Sequence, residues 1–113
     1  MGGIIMDFDF KFTLLRDKFI NLDVSNVEDV VLEFNITGDD GGLFYAKVKD
    51  GKLDIQPYNY YDADATISAN FDTLMKIINK DINPMCAFFK GAIKIKGNIN
   101  KALVLQNIIG SDK

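Results

Sequence analysis

Apolar residues along this chain keep two different periods, and the points where one gives way to the other outline the fold. Ile5, Phe8, Phe12, Leu15, Phe19 and Leu22 recur at intervals of three and four, the apolar face of an amphipathic helix. Phe8, Phe10 and Phe12 also alternate, but the three-four pattern persists for about four turns, and length decides for the helix. Asp23, Ser25 and Asn26 break it. From Val30 the period becomes two. Val30, Leu32, Phe34 and Ile36 alternate with Val31, Glu33, Asn35 and Thr37, the pattern of a half-buried strand. A turn at 38–42 follows. Phe44, Ala46 and Val48 then alternate with Tyr45, Lys47 and Lys49. Asp50-Gly51 signals a two-residue hairpin into a strand carrying Leu53 and Ile55. The centre of the chain is therefore a three-stranded antiparallel meander.

Beyond a Tyr-rich loop, Ala65, Ile67 and Ala69 mark a fourth strand. Asn70 is placed to cap a helix whose apolar face is Phe71, Leu74, Met75 and Ile78. Asn83-Pro84 opens a short helix with Pro at its first position, an inward face of Met85, Phe88 and Phe89, and Gly91 as its stop. Ile93 and Ile95 alternate with Lys94 and Lys96 in a fifth strand ended by Gly97. A final helix runs from Asn98 or Asn100 through Ile109. Strands that do not regularly alternate with helices predict an α+β fold, a five-stranded sheet with its helices on one face. The strand around Ile93 is expected to pair with the one around Ile67 or with an end of the meander.

The 113 residues suit one domain, 1–113, with a core that needs no staples. A net charge of −3 and the lack of a long basic run argue against a nucleic-acid partner. The one cysteine, Cys86, rules out an internal disulfide. The N-terminus is not read as a signal peptide, since Asp7 and Asp9 interrupt its apolar start and no Lys or Arg precedes Lys11. Met1-Gly2-Gly3 resembles a myristoylation start, but Met6 stands where Ser or Thr is needed. No stretch approaches the ~18 apolar residues of a membrane span, and a cytoplasmic location is expected.

Catalytic chemistry is hard to place on these residues. The chain has no His, so no His-based acid–base pair, triad or metal ligand exists. Ser25, Ser68 and Ser111 have no visible activator. Cys86 has only a helix start to lower its pKa, and between Met85 and Ala87 it reads as a small buried hydrophobe. Asp39-Asp40 and Asp62/Asp64 lack the ligand spacing of a calcium loop and read as a turn and a strand edge. Gly91 and Gly97 are followed by no Lys-Ser/Thr and punctuate a strand rather than cradle phosphate. No catalytic residue, metal or cofactor is assigned. Lys94 and Lys96 share one strand face, either a solvated surface or a contact for anionic lipid headgroups during transient encounters with a membrane.

The apolar excess carries more information. Ala102, Leu103, Val104, Leu105, Ile108 and Ile109 cover most sides of the final helix, where a surface helix needs one stripe. Phe71, Leu74, Ile78, Phe88 and Phe89 are likewise more than small helices need. A tight core, a partner subunit and an apolar ligand would each account for the surplus.

The segment Ala87–Asn98 resembles the signature of the sterol carrier protein-2 family, with Gly91, Ile93, Lys94, Ile95, Gly97 and Asn98 on the pattern. Ala92 departs from it where the family usually has Lys. Ala102, Leu105 and Gln106 are similar to the family's last helix, and Asp62 through Ile67 to its strand entry. The likeness runs from about Phe12 to Ile109. It implies a mixed sheet and helices enclosing an apolar tunnel for a sterol, a fatty acyl chain or a related lipid. The walls would come from Phe71, Leu74 and Ile78, from Met85, Phe88 and Phe89, and from Leu103, Leu105 and Ile109, with Gln106 orienting a hydroxyl or carboxylate. The leading reading is a non-enzymatic lipid carrier. Its rivals are an interaction module whose apolar helices pack on a partner or a second copy, and an enzyme using Cys86 or a lysine. The sequence leaves the oligomeric state open.

Overall fold

The two-residue period becomes three strands in a row. A computed structural model of the chain describes residues 7–110. In it β1 (Val30–Thr37), β2 (Gly42–Lys49) and β3 (Lys52–Gln56) form the antiparallel meander. β4 (Ala65–Asn70) returns to lie parallel to β1, and β5 (Lys94–Gly97) pairs antiparallel with β4, bringing Ile95 opposite Ile67. The sheet order is β3-β2-β1-β4-β5, so the sheet is mixed and the earliest strand is its centre.

Registry lines the apolar residues up across the strands. Ile55, Ala46, Leu32 and Ala65 make one row, and Phe44, Phe34, Ile67 and Ile95 another. Phe34 and Phe44 stack with ring centroids 4.8 Å apart. All of these except Ile95 are buried, and Ile95 packs against them half-buried. The alternate residues face the other way and are polar and half-buried: Glu33, Asn35, Tyr45, Lys47, Thr66 and Ser68. The loop at 57–64 lies across that second face. Its Tyr60 N–H and the Thr66 hydroxyl donate to the two Glu33 carboxylate oxygens at 2.9 and 3.0 Å, and the Tyr45 and Tyr60 rings meet edge-on. Loss of hydration, then the nearby Asp54 charge, pushes the Tyr45 phenol above its ordinary value. The Asp64 carboxylate, considered above for a metal, accepts from the Val31 N–H at 2.8 Å.

Helices cover the apolar face alone. α1 (Phe8–Phe19) is capped by the Asp7 carboxylate and turns Phe12, Leu15 and Phe19 inward. Ile5, expected on the same face, and Ser111 lie outside the described residues. α2 (Phe71–Ile78) is capped by Asn70, as its sequence predicts. Its buried face is Leu74, Ile77 and Ile78; Phe71 and Met75 are half-buried.

Three expectations are corrected. In α3 (Pro84–Phe89), capped by Asn83, the residues that face the core are Pro84 and Ala87, with Phe88 half-buried. Met85 and Phe89 lie about 200° around the helix from Ala87 and point outward. The same rotation leaves Cys86 exposed rather than buried. The C-terminal segment is also not one helix. It divides into α4 (Ile99–Ala102), capped by Asn98, and α5 (Val104–Gly110), with Leu103 between them. A straight helix would set Val104 and Ile108 on the side opposite Ala102 and Ile109. The break lets all four, and Leu105, reach the core. α4 is held from outside by Lys101, whose ammonium donates to Glu28 at 2.7 Å; that contact raises the lysine's pKa.

Asp50 and Gly51 both take positive φ, 52° and 74°, the geometry of a type I′ turn. Gly97 has φ +97°, and a Cβ there would come within 3.0 Å of the Asp64 carbonyl oxygen and 3.2 Å of the Ala65 Cα. Gly97→Ala is expected to lower the unfolding free energy by about 1–3 kcal/mol in a denaturant titration. Cys86 is expected to react with a thiol reagent almost as fast in the folded protein as in denaturant. A native rate slower by more than about a hundredfold would place it inside instead.

Candidate functional site

A partly enclosed cleft forms where three helix ends meet. α2 and the turn behind it supply Ile77, Lys80 and Ile82; the head of α3 supplies Asn83 and Pro84; α5 supplies Gln106, Ile109 and Gly110. The volume is about 150 Å³. A ligand pocket for a drug-sized molecule usually has roughly 300–1,000 Å³, so the cleft as it stands admits only part of a long ligand. A shallower groove of about 530 Å³ adjoins it, lined by Asn26, Val27, Asn107 and the shared Asn83, Gln106 and Gly110.

The local chemistry follows from how the three ends are made. Asn83 spends its side-chain oxygen on the Met85 and Cys86 N–H groups, at 2.8 and 3.3 Å, and so fixes the start of α3. Pro84 at the first helical position is buried against the cleft. Ile77 and Ile109 are buried behind it. Gln106 is one of three polar side chains that line the cleft, with Lys80 and Asn83. Its Oε1 is buried and has no hydrogen-bond partner among the described residues. A buried amide oxygen without a donor forfeits about 1–3 kcal/mol of desolvation.

The residues singled out from sequence divide into five groups. Gln106 and Ile109 line the cleft. Leu74, Ile78 and Leu105 are buried in the core beside it. Leu103 and Phe88 are half-buried. Phe71 belongs to a different place, an open polar groove with Lys11, Asp39 and Asp72, where the Lys11 ammonium sits 5.9 Å above its ring. Met85 and Phe89 are 37% and 78% exposed and stand apart from the others. Ile77, Ile82 and the Asn83-Pro84 pair were missed. The spacing of Leu74, Ile77 and Ile78 signals the first of them, and Asn83-Pro84 was read only as a helix start. Among the described residues no continuous tunnel is seen. Among the described residues no group of three or more Cys, Asp or Glu side chains is placed to hold a metal ion.

Comparison with known proteins agrees with the architecture. The model of the SCP-2 sterol transfer family matches residues 12–110. Sterol carrier protein 2 of Bos taurus is 33% identical over 81 residues, which cover 69% of this chain and 15% of that protein. Hydroxysteroid dehydrogenase-like protein 2 of Bos taurus is 28% identical over 99 residues, covering 87% of this chain and 23% of that protein. This chain thus spans less than a quarter of the length of either relative. The solution structure of palmitated SCP2L2 from Aedes aegypti superposes with a TM-score of 0.65 at 19% identity, over 92% of this chain and 95% of that one. With nearly all of its described length matched by the family model, and with the mixed sheet and one-sided helices of such a fold, the chain belongs to the SCP-2 sterol transfer family.

Proposed function

We propose that this chain is a carrier that takes an apolar lipid into the cleft between α2, α3 and α5 and performs no reaction of its own. The unpartnered Gln106 oxygen, on a cleft walled by Ile77, Ile82, Pro84 and Ile109, is the observation that carries the reading. It accepts from a sterol or fatty-alcohol hydroxyl. With the amide turned over, Nε2 donates to a fatty acid carboxylate instead. Family membership supports the lipid class, and the palmitated relative supports an acyl chain as one cargo.

A whole lipid needs more room than about 150 Å³. The ligand therefore enters by moving α5 away from α2, exchanging the contacts of Ile109 and Leu105 for contacts with itself. The break at Leu103 makes this inexpensive, because the seven residues of α5 shift without dragging α4. Leu74, Ile78, Leu103 and Phe88 then line the enlarged cavity. The driving force is apolar burial, ~25 cal/mol per Å² before the costs of binding. The cytoplasmic location belongs to this proposal and is supported by the lone thiol.

Two substitutions separate ligand contact from core packing. Gln106→Leu removes an unsatisfied buried oxygen, so denaturant titration should find stability unchanged or raised by about 1 kcal/mol, while displacement of a fluorescent sterol weakens about tenfold. Leu105→Ala should cost about 2–5 kcal/mol of stability, because the side chain is fully packed without ligand. Failure of the folded wild-type chain to bind a fluorescent fatty acid or sterol at micromolar concentration would overturn the carrier reading.

A further inference from the structure

The cleft accounts for one end of a lipid. Beside it lies the groove of about 530 Å³, more than three times the cleft's 150 Å³, and the two share Asn83, Gln106 and Gly110. Their chemistry differs. Ile77, Ile82, Pro84 and Ile109 wall the cleft, whereas four of the six residues lining the groove carry a side-chain amide: Asn26, Asn83, Gln106 and Asn107. These come from three separate parts of the chain: the connection between α1 and β1, the start of α3, and α5. Among the described residues no charged side chain lines the groove; Lys80 belongs to the cleft.

The amides have hydrogen-bonding capacity left over. Asn83 commits its side-chain oxygen to the Met85 and Cys86 N–H groups and keeps its amide hydrogens. The side chains of Asn26 and Asn107 make no hydrogen bond to another described residue. Gln106 lies on the seam between groove and cleft, and its buried Oε1 has no donor. An amide both donates and accepts, and so does a hydroxyl, whereas an ionised carboxylate only accepts. A carboxylate would leave Oε1 unpartnered unless the amide turned over, and it would find no cation in the groove to offset its charge. A single sterol hydroxyl satisfies Gln106 but leaves the groove to water. A head group with several neighbouring hydroxyls serves both.

Given the carrier reading, on which this rests, we infer that the cargo is an amphiphile with an uncharged polyhydroxyl head, a glycerol or a sugar joined to a hydrocarbon chain. The chain occupies the cleft. One hydroxyl donates to Gln106 Oε1, and the others exchange hydrogen bonds with Asn26, Asn83 and Asn107 across the groove. Hydrocarbon burial supplies most of the affinity. The amides supply the selectivity, since water competes for each of their bonds in an open groove and only a modest net gain remains.

Competitors that share one chain and differ in the head separate these cases. Dodecanol, dodecanoate, 1-dodecanoylglycerol and dodecyl glucoside are each kept below the concentration at which they aggregate. They are titrated against whichever of a fluorescent fatty acid and a fluorescent sterol the full chain binds. At least one of the two polyol-headed competitors is expected to displace the probe at about tenfold lower concentration than dodecanol or dodecanoate, the worth of two modest hydrogen bonds. The better of the two identifies the head as glycerol or sugar. Asn26→Ala and Asn107→Ala should each shrink that advantage about threefold, and together remove it. Both side chains are exposed, and thermal unfolding checks that each variant is folded. Displacement by dodecanol as good as by either polyol, or better displacement by dodecanoate, would overturn the polyol assignment and leave the carrier reading standing. So would an advantage that survives both substitutions, since the head then lies elsewhere. A folded chain that binds neither probe would overturn the carrier reading and the polyol assignment together.

Discussion

Every element of this protein is arranged around one requirement, that the face of the sheet carrying Leu32, Phe34, Phe44, Ala46 and Ile67 stay dry. A sheet with one apolar face cannot be stable until something covers that face. The described residues supply five helical pieces, none longer than the 12 residues of α1, and all pack on that side. The opposite face has a different solution: polar side chains that satisfy one another and a loop pinned to them through Glu33. The two faces make different demands. Water can reach the polar one, whereas the apolar one tolerates only hydrocarbon, whether from the protein or from a guest.

The proposed carrier role has a guest take the place of protein. The helical layer is made of short pieces whose contacts with the sheet are apolar and non-directional, so replacing some of them with a lipid changes little in kind. Directional contacts, by contrast, hold the frame: the caps at Asn70, Asn83 and Asn98 and the strand ladders are unaffected by what fills the space beneath them. Among the described residues, Gln106 Oε1 is the buried side-chain oxygen left without a partner, and the proposed site is built on it.

Much of the frame was legible in the sequence because strand patterning is strict. In β1 each of Val30, Leu32, Phe34 and Ile36 is buried and each intervening residue through Asn35 is not, the result that a period of two requires. The Asp50-Gly51 turn and the Asn70 cap were legible for an equally local reason, since one backbone geometry demands those residues. Short helices are another matter. With six apolar residues, α3 offers no polar side to say which way it faces, and so the inward set of Met85, Phe88 and Phe89 and a buried Cys86 were inferred where the structure has Pro84 and Ala87. The break at Leu103 was hidden because no Gly or Pro announces it; the core geometry imposes it. The site inherits both uncertainties. Gln106 and Ile109, expected from the sequence, line the cleft, while Ile77, Ile82 and Pro84 come together only through the angle between α2 and α3.

The parallel pairing of β1 with β4 bears on how the chain folds. Leu32 meets Ala65 across 33 residues, and the whole meander lies between them. The hairpins of β1, β2 and β3 close over short loops and can form early, but β4 joins only after a long loop has been closed at an entropic cost. β5 and the C-terminal helices depend on β4 in turn. The order of assembly therefore follows the order of the chain. The half that emerges first builds a stable platform, and the half that forms the cleft condenses on it last.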